Sequence, residues 1–198
     1  MKGCRLALTE ANLAMANRPF VTSDQFLEFC SLNGDLRIER SAQGDLVVIS
    51  PAGYSSGRRN AELIGQLRDW ARKNRTGEVL DSSTGFTFPN GAVRAPDASW
   101  IPKALLAQLT PEELEKFAPL CPPFVVELRS AADRLSDVKK KMQEYMENGA
   151  QLGWLIDPYS RRVHVYRSGV PVEELDNPKT LSADPLLTGF TLDLGKIW

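Results

Sequence analysis

The chain has 198 residues, of which 42% are hydrophobic and 25% are charged, with 24 basic and 25 acidic side chains. These totals are typical of one globular domain, and the net charge of −1 argues against a protein that attracts nucleic acid through its overall field. Contact with DNA would therefore depend on a local basic patch. No apolar run approaches the ~18 residues of a membrane span, so we expect no membrane partner.

Cysteine usage and the N-terminus bear on localisation and domain organisation. Cys4, Cys30 and Cys121 are widely spaced and form no C-x-x-C pair. This spacing argues against a disulfide framework or a zinc site and favours a reducing compartment. The N-terminus also lacks the long apolar core of a signal peptide. We therefore expect a cytoplasmic protein with an irregular or weakly helical lead-in over residues 1–18 and a single domain over residues 19–198.

The first half of the chain alternates helical and strand patterns. A capping sequence at Thr22 predicts the start of a short helix that ends at Asn33, and apolar residues at helical spacing predict a longer helix further on. Alternating residues and turn residues predict the strands between and after them. In chain order, the further elements are a hairpin of residues 36–40 and 46–49, a loop over 51–57, a helix over 58–74, and strands over 78–88, with a kink at Gly85, and over 93–101.

The second half repeats this alternation. It contains a short capped helix at Thr110, a buried strand over 124–129, a helix over 136–148, and a hairpin of residues 153–157 and 162–166. The tail from residue 170 is turn-rich, with one small strand near 190–192. Because strands dominate the middle and helices precede and follow them, the order predicts an α/β fold. We expect a mixed β-sheet flanked by helices, with β-hairpin additions.

Two of the predicted strands carry a carboxylate in an apolar setting. Asp97 and Glu127 each stand in a run of otherwise apolar residues, a pattern typical of a buried strand. Burying a charge is costly without a partner or a metal. Side chains alternate along a strand, so Glu127 and Arg129 share one face. If the two strands are neighbours, both carboxylates can bind one hard cation such as Mg²⁺. The alternative is a turn at Asp97 and a simple ion pair between Glu127 and Arg129.

Taken in order, these segments match the P-D-(x)n-(D/E)-x-K pattern of the restriction-endonuclease-like (PD-(D/E)XK) superfamily. More specifically, residues 20–194 resemble the Uma family of restriction endonucleases. Four segments carry the resemblance: Arg94-Ala95-Pro96-Asp97; Phe124-Val125-Val126-Glu127-Leu128-Arg129-Ser130; Asp133-Arg134-Leu135-Ser136-Asp137 with Lys141 and Tyr145; and Gly149 with Trp154-Leu155-Ile156-Asp157-Pro158. The resemblance implies a cytoplasmic, magnesium-dependent nuclease-like domain with a restriction-endonuclease-like core, and a homodimer.

The resemblance also implies a metal site. Asp97, Glu127 and the backbone carbonyl of Leu128 would bind Mg²⁺ or Mn²⁺, with waters and a phosphate oxygen completing the shell. An acid from an early helix or strand often joins such a site, and the candidates are Glu39 and Glu62. The family pattern points to Glu39, although either residue could be plain surface charge.

The catalytic cation departs from the motif, because its lysine is Arg129 here. Arginine stays protonated, so Arg129 could clamp a phosphate or position a water but could not act as a general base. A lysine of the following helix could substitute. The family pattern favours Lys141, while helical geometry alone does not choose between Lys139 and Lys141. A solvated helix face is the alternative for both lysines.

These residues favour a metal-dependent DNA endonuclease that hydrolyses phosphodiester bonds, with Asp97, Glu127, Arg129 and Lys141 as catalytic residues. The alternative is a catalytically inactive nuclease-fold domain that binds nucleic acid or a partner protein, and a third possibility is an oligomeric interaction domain. A positive groove for DNA exists only if the fold gathers the following basic residues: Arg58, Arg59, Arg94, Arg129, Arg134 and Lys139 to Lys141.

Overall fold

The computed structural model describes residues 22–198, so the predicted lead-in over residues 1–18 lies outside the described residues. The centre of the fold is a six-stranded sheet with the strand order β10-β9-β8-β7-β6-β3. Strands β7 and β8 run parallel, and the other neighbours in this sheet are antiparallel. The strands are β3 (Gly77–Asp81), β6 (Ala98–Pro102), β7 (Phe124–Leu128), β8 (Leu152–Asp157), β9 (Arg162–Arg167) and β10 (Val170–Asp176).

A second sheet of four antiparallel strands has the order β2-β1-β5-β4. Its strands are β1 (Arg37–Arg40), β2 (Leu46–Ile49), β4 (Phe86–Thr87) and β5 (Val93–Arg94). The predicted hairpin of β1 and β2 is confirmed. The two strands predicted over 78–88 and 93–101 are wrong as single elements, because each is divided between the two sheets, although the kink predicted at Gly85 agrees with the first division. The chain crosses between sheets at Gly85, where a Cβ would lie 2.6 Å from the Phe117 ring, and at Pro96, which cannot donate to a ladder.

The described residues form five helices, of which the second, third and fifth pack on the central sheet. They are α1 (Ser23–Leu32), α2 (Tyr54–Asn74), α3 (Lys103–Leu106), α4 (Pro111–Leu114) and α5 (Leu135–Glu147), with a 3₁₀ turn at Leu194–Lys196. The predicted capping boxes at Thr22 and Thr110 are confirmed. Helix α2 begins one turn earlier than predicted, so the second half of the predicted loop is helical. Gly53 serves as its N-cap, and packing of the long helix outweighs the weak propensity of its first residues.

The two faces of the central sheet carry separate cores. Leu63 and Leu67 of α2 pack on one face, together with the C-terminal segment and inward side chains such as Trp154. Val138 and Met142 of α5 pack on the other. Full burial of each such side chain contributes about 1.5–3 kcal/mol. Alternation along β7 places Val125 on the α5 face, so the α5 helix covers the side of the sheet to which Glu127 also belongs.

The tail contains more structure than its turn residues predict. Strand β10 forms an exposed edge, and β11 (Thr180–Ser182) pairs with β12 (Thr191–Asp193). The small strand predicted near 190–192 is confirmed as β12. Strand β10 was not predicted, because it is exposed on both faces and its residues show no alternation of apolar and polar side chains. Val170, for example, is 58% exposed. Within the described residues, no helix is long and apolar enough to cross a membrane.

Candidate active site

Two side chains of α5 reach the buried carboxylate of Glu127 on β7. The hydroxyl of Tyr145 donates a hydrogen bond of 2.7 Å to Glu127 Oε1, and Lys141 Nζ lies 2.9 Å from the same oxygen. Lys141 and Tyr145 are four residues apart, so they lie one above the other on a single helix face. Glu127 is only 8% exposed, which makes these contacts its main compensation for lost water.

Glu39 arrives from the second sheet. Its side chain is buried, and Oε1 accepts hydrogen bonds from Lys141 Nζ at 2.9 Å and from the Ala95 N–H at 3.1 Å. Arg94 Nη1 lies 3.3 Å from the other oxygen, and Arg94 Nε donates to Glu144 Oε2 at 2.6 Å. The ammonium of Lys141 is therefore held between Glu39 and Glu127, which come from different sheets.

Asp97 lies directly before β6. Its Oδ2 accepts a hydrogen bond of 2.8 Å from the backbone N–H of Leu128, the residue that follows Glu127. The β6–β7 register pairs Ala98 with Val126, so one further step would place Asp97 opposite Glu127 on the same face. We call Glu39, Asp97, Glu127 and Lys141 the carboxylate–lysine cluster.

Burial dominates the protonation of the two sheet carboxylates. It raises the pKa of Glu127 to about 7, with further contributions from the charges of Asp97 and Glu39, while Lys141 opposes the shift. Burial likewise raises the pKa of Asp97, against the Leu128 hydrogen bond and the charge of Lys141. For Glu39, burial acts in the same direction, but Lys141, the Ala95 N–H and Arg94 outweigh it, and its pKa is lowered.

The two α5 side chains respond to the same charges. Burial disfavours the ammonium of Lys141, but Glu127 and Glu39 outweigh it and raise the pKa of Lys141 above its ordinary value. Lys141 is therefore a fixed cation at neutral pH. Burial and the neighbouring carboxylates raise the pKa of Tyr145, so its hydroxyl stays a neutral hydrogen-bond donor.

The fold and the cluster can be compared with known proteins. The Uma2 family model, described as "Putative restriction endonuclease", matches residues 23–195. This chain belongs to the Uma2 family. The crystal structure of "a putative nuclease belonging to DUF820" from Anabaena variabilis ATCC 29413 is similar, with a TM-score of 0.71 and 21% sequence identity, over 90% of this chain and 97% of that chain. At that identity the similarity shows the fold. No curated protein matches the chain.

These comparisons confirm the predicted family and the predicted mixed α/β fold. Neither comparison assigns a role to any residue, and the contacts of the predicted site residues are those seen in the structure. Asp97, Glu127, Glu39 and Lys141 come together. For Lys141, the alternative of a solvated helix face is wrong, because its side chain is only 19% exposed.

Arg129, at the position of the motif lysine, points elsewhere. Its Nη1 lies 2.9 Å from Asp157 Oδ2, and its Nε donates to the carbonyl of Asp133 at 3.1 Å. Within residues 22–198, no contact joins Arg129 to Glu127 or Lys141. The alternative of an ion pair between Glu127 and Arg129 is therefore wrong, since Arg129 pairs with the acid at the end of β8 instead.

The remaining candidates lie outside the cluster. Glu62 contacts Gln66 and Lys196, on the sheet face covered by α2. Lys139 lies 3.2 Å from Glu174 of the edge strand, while Lys140 is exposed. Of the two early acids, the structure thus brings Glu39 to the cluster. The choice between Lys139 and Lys141 depended on the exact rotation of α5, which spacing alone does not determine.

Tyr145 and Arg94 both stand in the family segments, but the sequence predicted neither as part of the site; Arg94 was only one of the basic residues that a DNA groove would need. Tyr145 holds Glu127, and Arg94 bridges Glu39 to Glu144. The signal for Tyr145 was its spacing of four residues from Lys141 on a predicted helix. Arg94 had no comparable signal, because its partners are 55 and 50 residues away in the chain.

The cluster suits a divalent cation by its chemistry. Carboxylate oxygens are the ligands that Mg²⁺ prefers, and it commonly takes one or two of them and keeps several waters. Burial is the main cause of the raised pKa values of Asp97 and Glu127, and a bound cation would favour their ionised forms. In the described part of the chain, no group of three or more His, Cys, Asp or Glu side chains forms a ready-made metal site. Lys141 stands between Glu39 and Glu127, so the fit rests on Asp97 and Glu127 alone.

Proposed function

We propose that this Uma2 protein is a metal-dependent endonuclease that hydrolyses phosphodiester bonds in DNA. The observation that carries the proposal is the buried carboxylate–lysine cluster, in which acids from two sheets surround one cation. Burying this much charge is costly, and no core requires it, so a functional role explains its presence better than stability does. Membership of a family described as putative restriction endonucleases supports the same reaction class.

Asp97, Glu127 and the backbone carbonyl of Leu128 would hold Mg²⁺ or Mn²⁺. When bound, the ion would polarise the phosphate and lower the pKa of an attacking water. The N–H of Leu128 fixes one oxygen of Asp97, and Tyr145 fixes one oxygen of Glu127. Both carboxylates are thus oriented before any ligand arrives, which reduces the cost of organising the site.

Lys141 supplies the fixed positive charge in this proposal. Because its pKa is raised, it acts as a cation and hydrogen-bond donor rather than as a base. A buried ammonium next to the phosphate would stabilise the charge that develops on the phosphoryl oxygens. Glu39 holds the ammonium in place and is itself held by Arg94 and the Ala95 N–H. Arg129 is not part of this group, because it contacts Asp157 and the Asp133 carbonyl instead.

Incubation of the purified protein with supercoiled plasmid, in Mg²⁺ or Mn²⁺ and in EDTA, tests the proposal. We expect metal-dependent nicking that Asp97→Ala abolishes. Glu62→Gln is the matched control, since it removes a carboxylate that lies outside the cluster, and we expect it to nick normally. Nicking that persists in Asp97→Ala would refute the assignment of the site. Absence of nicking by the wild type, on any DNA form, would refute the function.

One observation favours a second candidate, a catalytically inactive nuclease-fold domain that binds nucleic acid or a partner protein. Lys141 already neutralises part of the cluster, so the fold does not need a metal to compensate its carboxylates. Calorimetry with Mn²⁺ distinguishes the candidates. A catalytic site binds the ion and loses it in Glu127→Ala, whereas an inactive domain shows no binding that depends on Glu127. Homodimer formation and a cytoplasmic location stay predictions.

A further inference from the structure

An exposed aromatic ring lies close to two arginines just beyond the end of β8. Tyr159 follows β8, and its side chain is 49% exposed. The guanidinium carbon of Arg129 lies 5.6 Å from the centre of its ring, and that of Arg59, from the start of α2, lies 5.7 Å away. We call Arg59, Arg129 and Tyr159 the arginine–tyrosine surface. An aromatic ring left half in water next to two cations contributes little to the core.

Each member of this surface is held in place. Asp157 is buried, accepts from the N–H of Tyr159 at 3.0 Å, and lies 2.9 Å from Arg129 Nη1. Arg129 is fixed again by the Asp133 carbonyl, and Arg59 Nε donates to the Ile197 carbonyl at 2.9 Å. The two guanidinium groups and the backbone of Tyr159 are therefore held without a ligand, and this lowers the entropy cost of binding one.

Much of the hydrogen-bonding capacity of the two arginines is unused. A guanidinium has five N–H donors. Arg59 commits one of them and Arg129 two, which leaves four and three. Within residues 22–198, these remaining donors have no hydrogen-bond partner. Free guanidinium edges next to an exposed ring match a phosphate joined to an unstacked base, because arginine binds phosphate oxygens and aromatic rings stack on bases.

The position agrees with this ligand. Arg129 follows Glu127 by two residues, which is about 7 Å along an extended chain. The surface therefore begins two residues beyond the cluster on the same strand end, so one nucleic-acid strand bound at the cluster would pass close to it. It also lies beyond the carboxyl ends of the parallel strands β7 and β8, where α/β folds commonly bind ligands.

We propose that the arginine–tyrosine surface binds an unpaired nucleotide of the DNA substrate, an inference that rests on the proposed function. Its base stacks on Tyr159, and Arg59 and Arg129 bind the adjoining phosphate. The substrate is thus DNA with a single-stranded segment next to the cleavage point, rather than an undisturbed duplex, whose bases are stacked inside and cannot reach the ring. Arg129 is a substrate-binding residue in this scheme and takes no part in the chemistry at the cluster.

Fluorescence anisotropy in EDTA tests this binding without cleavage. The probes are a labelled oligothymidylate and a blunt duplex of the same length. We expect Tyr159→Ala to weaken binding of the single strand about tenfold, as the loss of one base–aromatic stack does. Tyr159→Phe, which keeps the ring, stays within about twofold of the wild type, and binding of the duplex changes by less than about twofold in both variants.

The arginine contribution is tested by salt dependence. Arg59→Gln flattens the plot of log affinity against log salt for the single strand by about 0.7, the value for one phosphate contact on a single strand. Arg75→Gln is the matched control, because it removes one positive charge beyond α2, at the opposite end of β6 from Asp97. We expect it to leave the slope unchanged. Thermal unfolding of each variant verifies that it is folded.

Three results overturn the inference: single-strand binding by Tyr159→Ala that equals the wild type, equal losses in Tyr159→Phe and Tyr159→Ala, or equal effects of Arg59→Gln and Arg75→Gln. A wild type that does not bind the single strand overturns it as well. Plasmid nicking reports separately on the proposed function. If nicking occurs but neither nicking nor binding depends on Tyr159, the binding role of the surface is refuted and the endonuclease function stands. If binding depends on Tyr159 but no nicking occurs, the endonuclease function is refuted and the binding role of the surface stands.

Discussion

Metal affinity should depend on pH through Glu127. Metal binding requires the ionised carboxylate, yet burial raises the pKa of Glu127 from 4.5 to about 7 in the metal-free protein. Binding must therefore displace a proton below pH 7. The test measures the Mn²⁺ affinity of the wild type over a pH series and compares it with that of Glu127→Gln, whose side chain cannot ionise.

The structure sets the magnitude. The shift from 4.5 to about 7 makes ionisation of Glu127 about 3 kcal/mol less favourable than in the unfolded chain. A cation recovers part of this free energy when it binds. Because one proton competes with the metal, we expect the Mn²⁺ affinity to fall about tenfold for each pH unit below 7 and to level off above about pH 8. The raised pKa of Asp97 steepens the fall at lower pH.

Isothermal titration calorimetry with Mn²⁺ measures this dependence. Titrations in two buffers with different ionisation enthalpies report the protons released, which we expect to approach one at about pH 6 and almost none at about pH 8. Glu127→Gln should bind Mn²⁺ more weakly and should release no proton in this range. Glu62→Gln should behave as the wild type, because Glu62 contacts Gln66 and Lys196 rather than the cluster.

Two results would contradict control of Mn²⁺ binding by the ionisation of Glu127. One is a wild-type Mn²⁺ affinity that is constant between pH 6 and pH 8, and the other is proton release that persists unchanged in Glu127→Gln. Either result would mean that Glu127 is already ionised before metal binding, or that it is not a ligand. In the first case, the compensation by Lys141 and Tyr145 would outweigh burial. In the second, the metal site would have to be sought elsewhere.

Three further changes test other parts of the structure. Lys141→Met should lower plasmid nicking by at least about 100-fold, as the loss of a transition-state donor does, with Mn²⁺ binding retained in calorimetry; nicking at the wild-type rate would contradict its role. Asp157→Ala removes the carboxylate that pairs with the partly exposed Arg129 and caps the turn at Tyr159, and it should cost about 1.5–3 kcal/mol in urea unfolding at neutral pH. Since the pKa of Asp157 is lowered from 3.8, the difference from wild type should shrink as the pH falls through that lowered value, and a constant difference would count against it. Gly77→Ala would place a Cβ 2.6 Å from the ring of Trp100 and should cost about 1–3 kcal/mol, whereas Gly65→Ala, with no atom within 4 Å, should be neutral or stabilising; equal effects in urea unfolding would contradict the packing of β3 on β6.

Local patterns predicted most of the elements. Capping boxes marked the starts of α1 and α4, and alternation marked the β8–β9 hairpin, because both signals arise from residues a few positions apart. The predictions of secondary structure were wrong where contacts between residues far apart in the chain determine the element. The two long predicted strands divide between two sheets, and the exposed edge strand β10 has no alternating burial to reveal it.

The candidate site shows the same division. Residue types and local spacing were enough to show that Asp97 and Glu127 are carboxylates in apolar runs, that arginine replaces the motif lysine, and that the chain resembles the Uma family. The contacts of Lys141 with Glu127 and Glu39, and of Arg129 with Asp157, appear only in the folded protein. Spacing along a strand or helix sets the face of a side chain, whereas its partner depends on which elements pack there. Glu39 and Lys141 are 102 residues apart, and no local pattern encodes that contact.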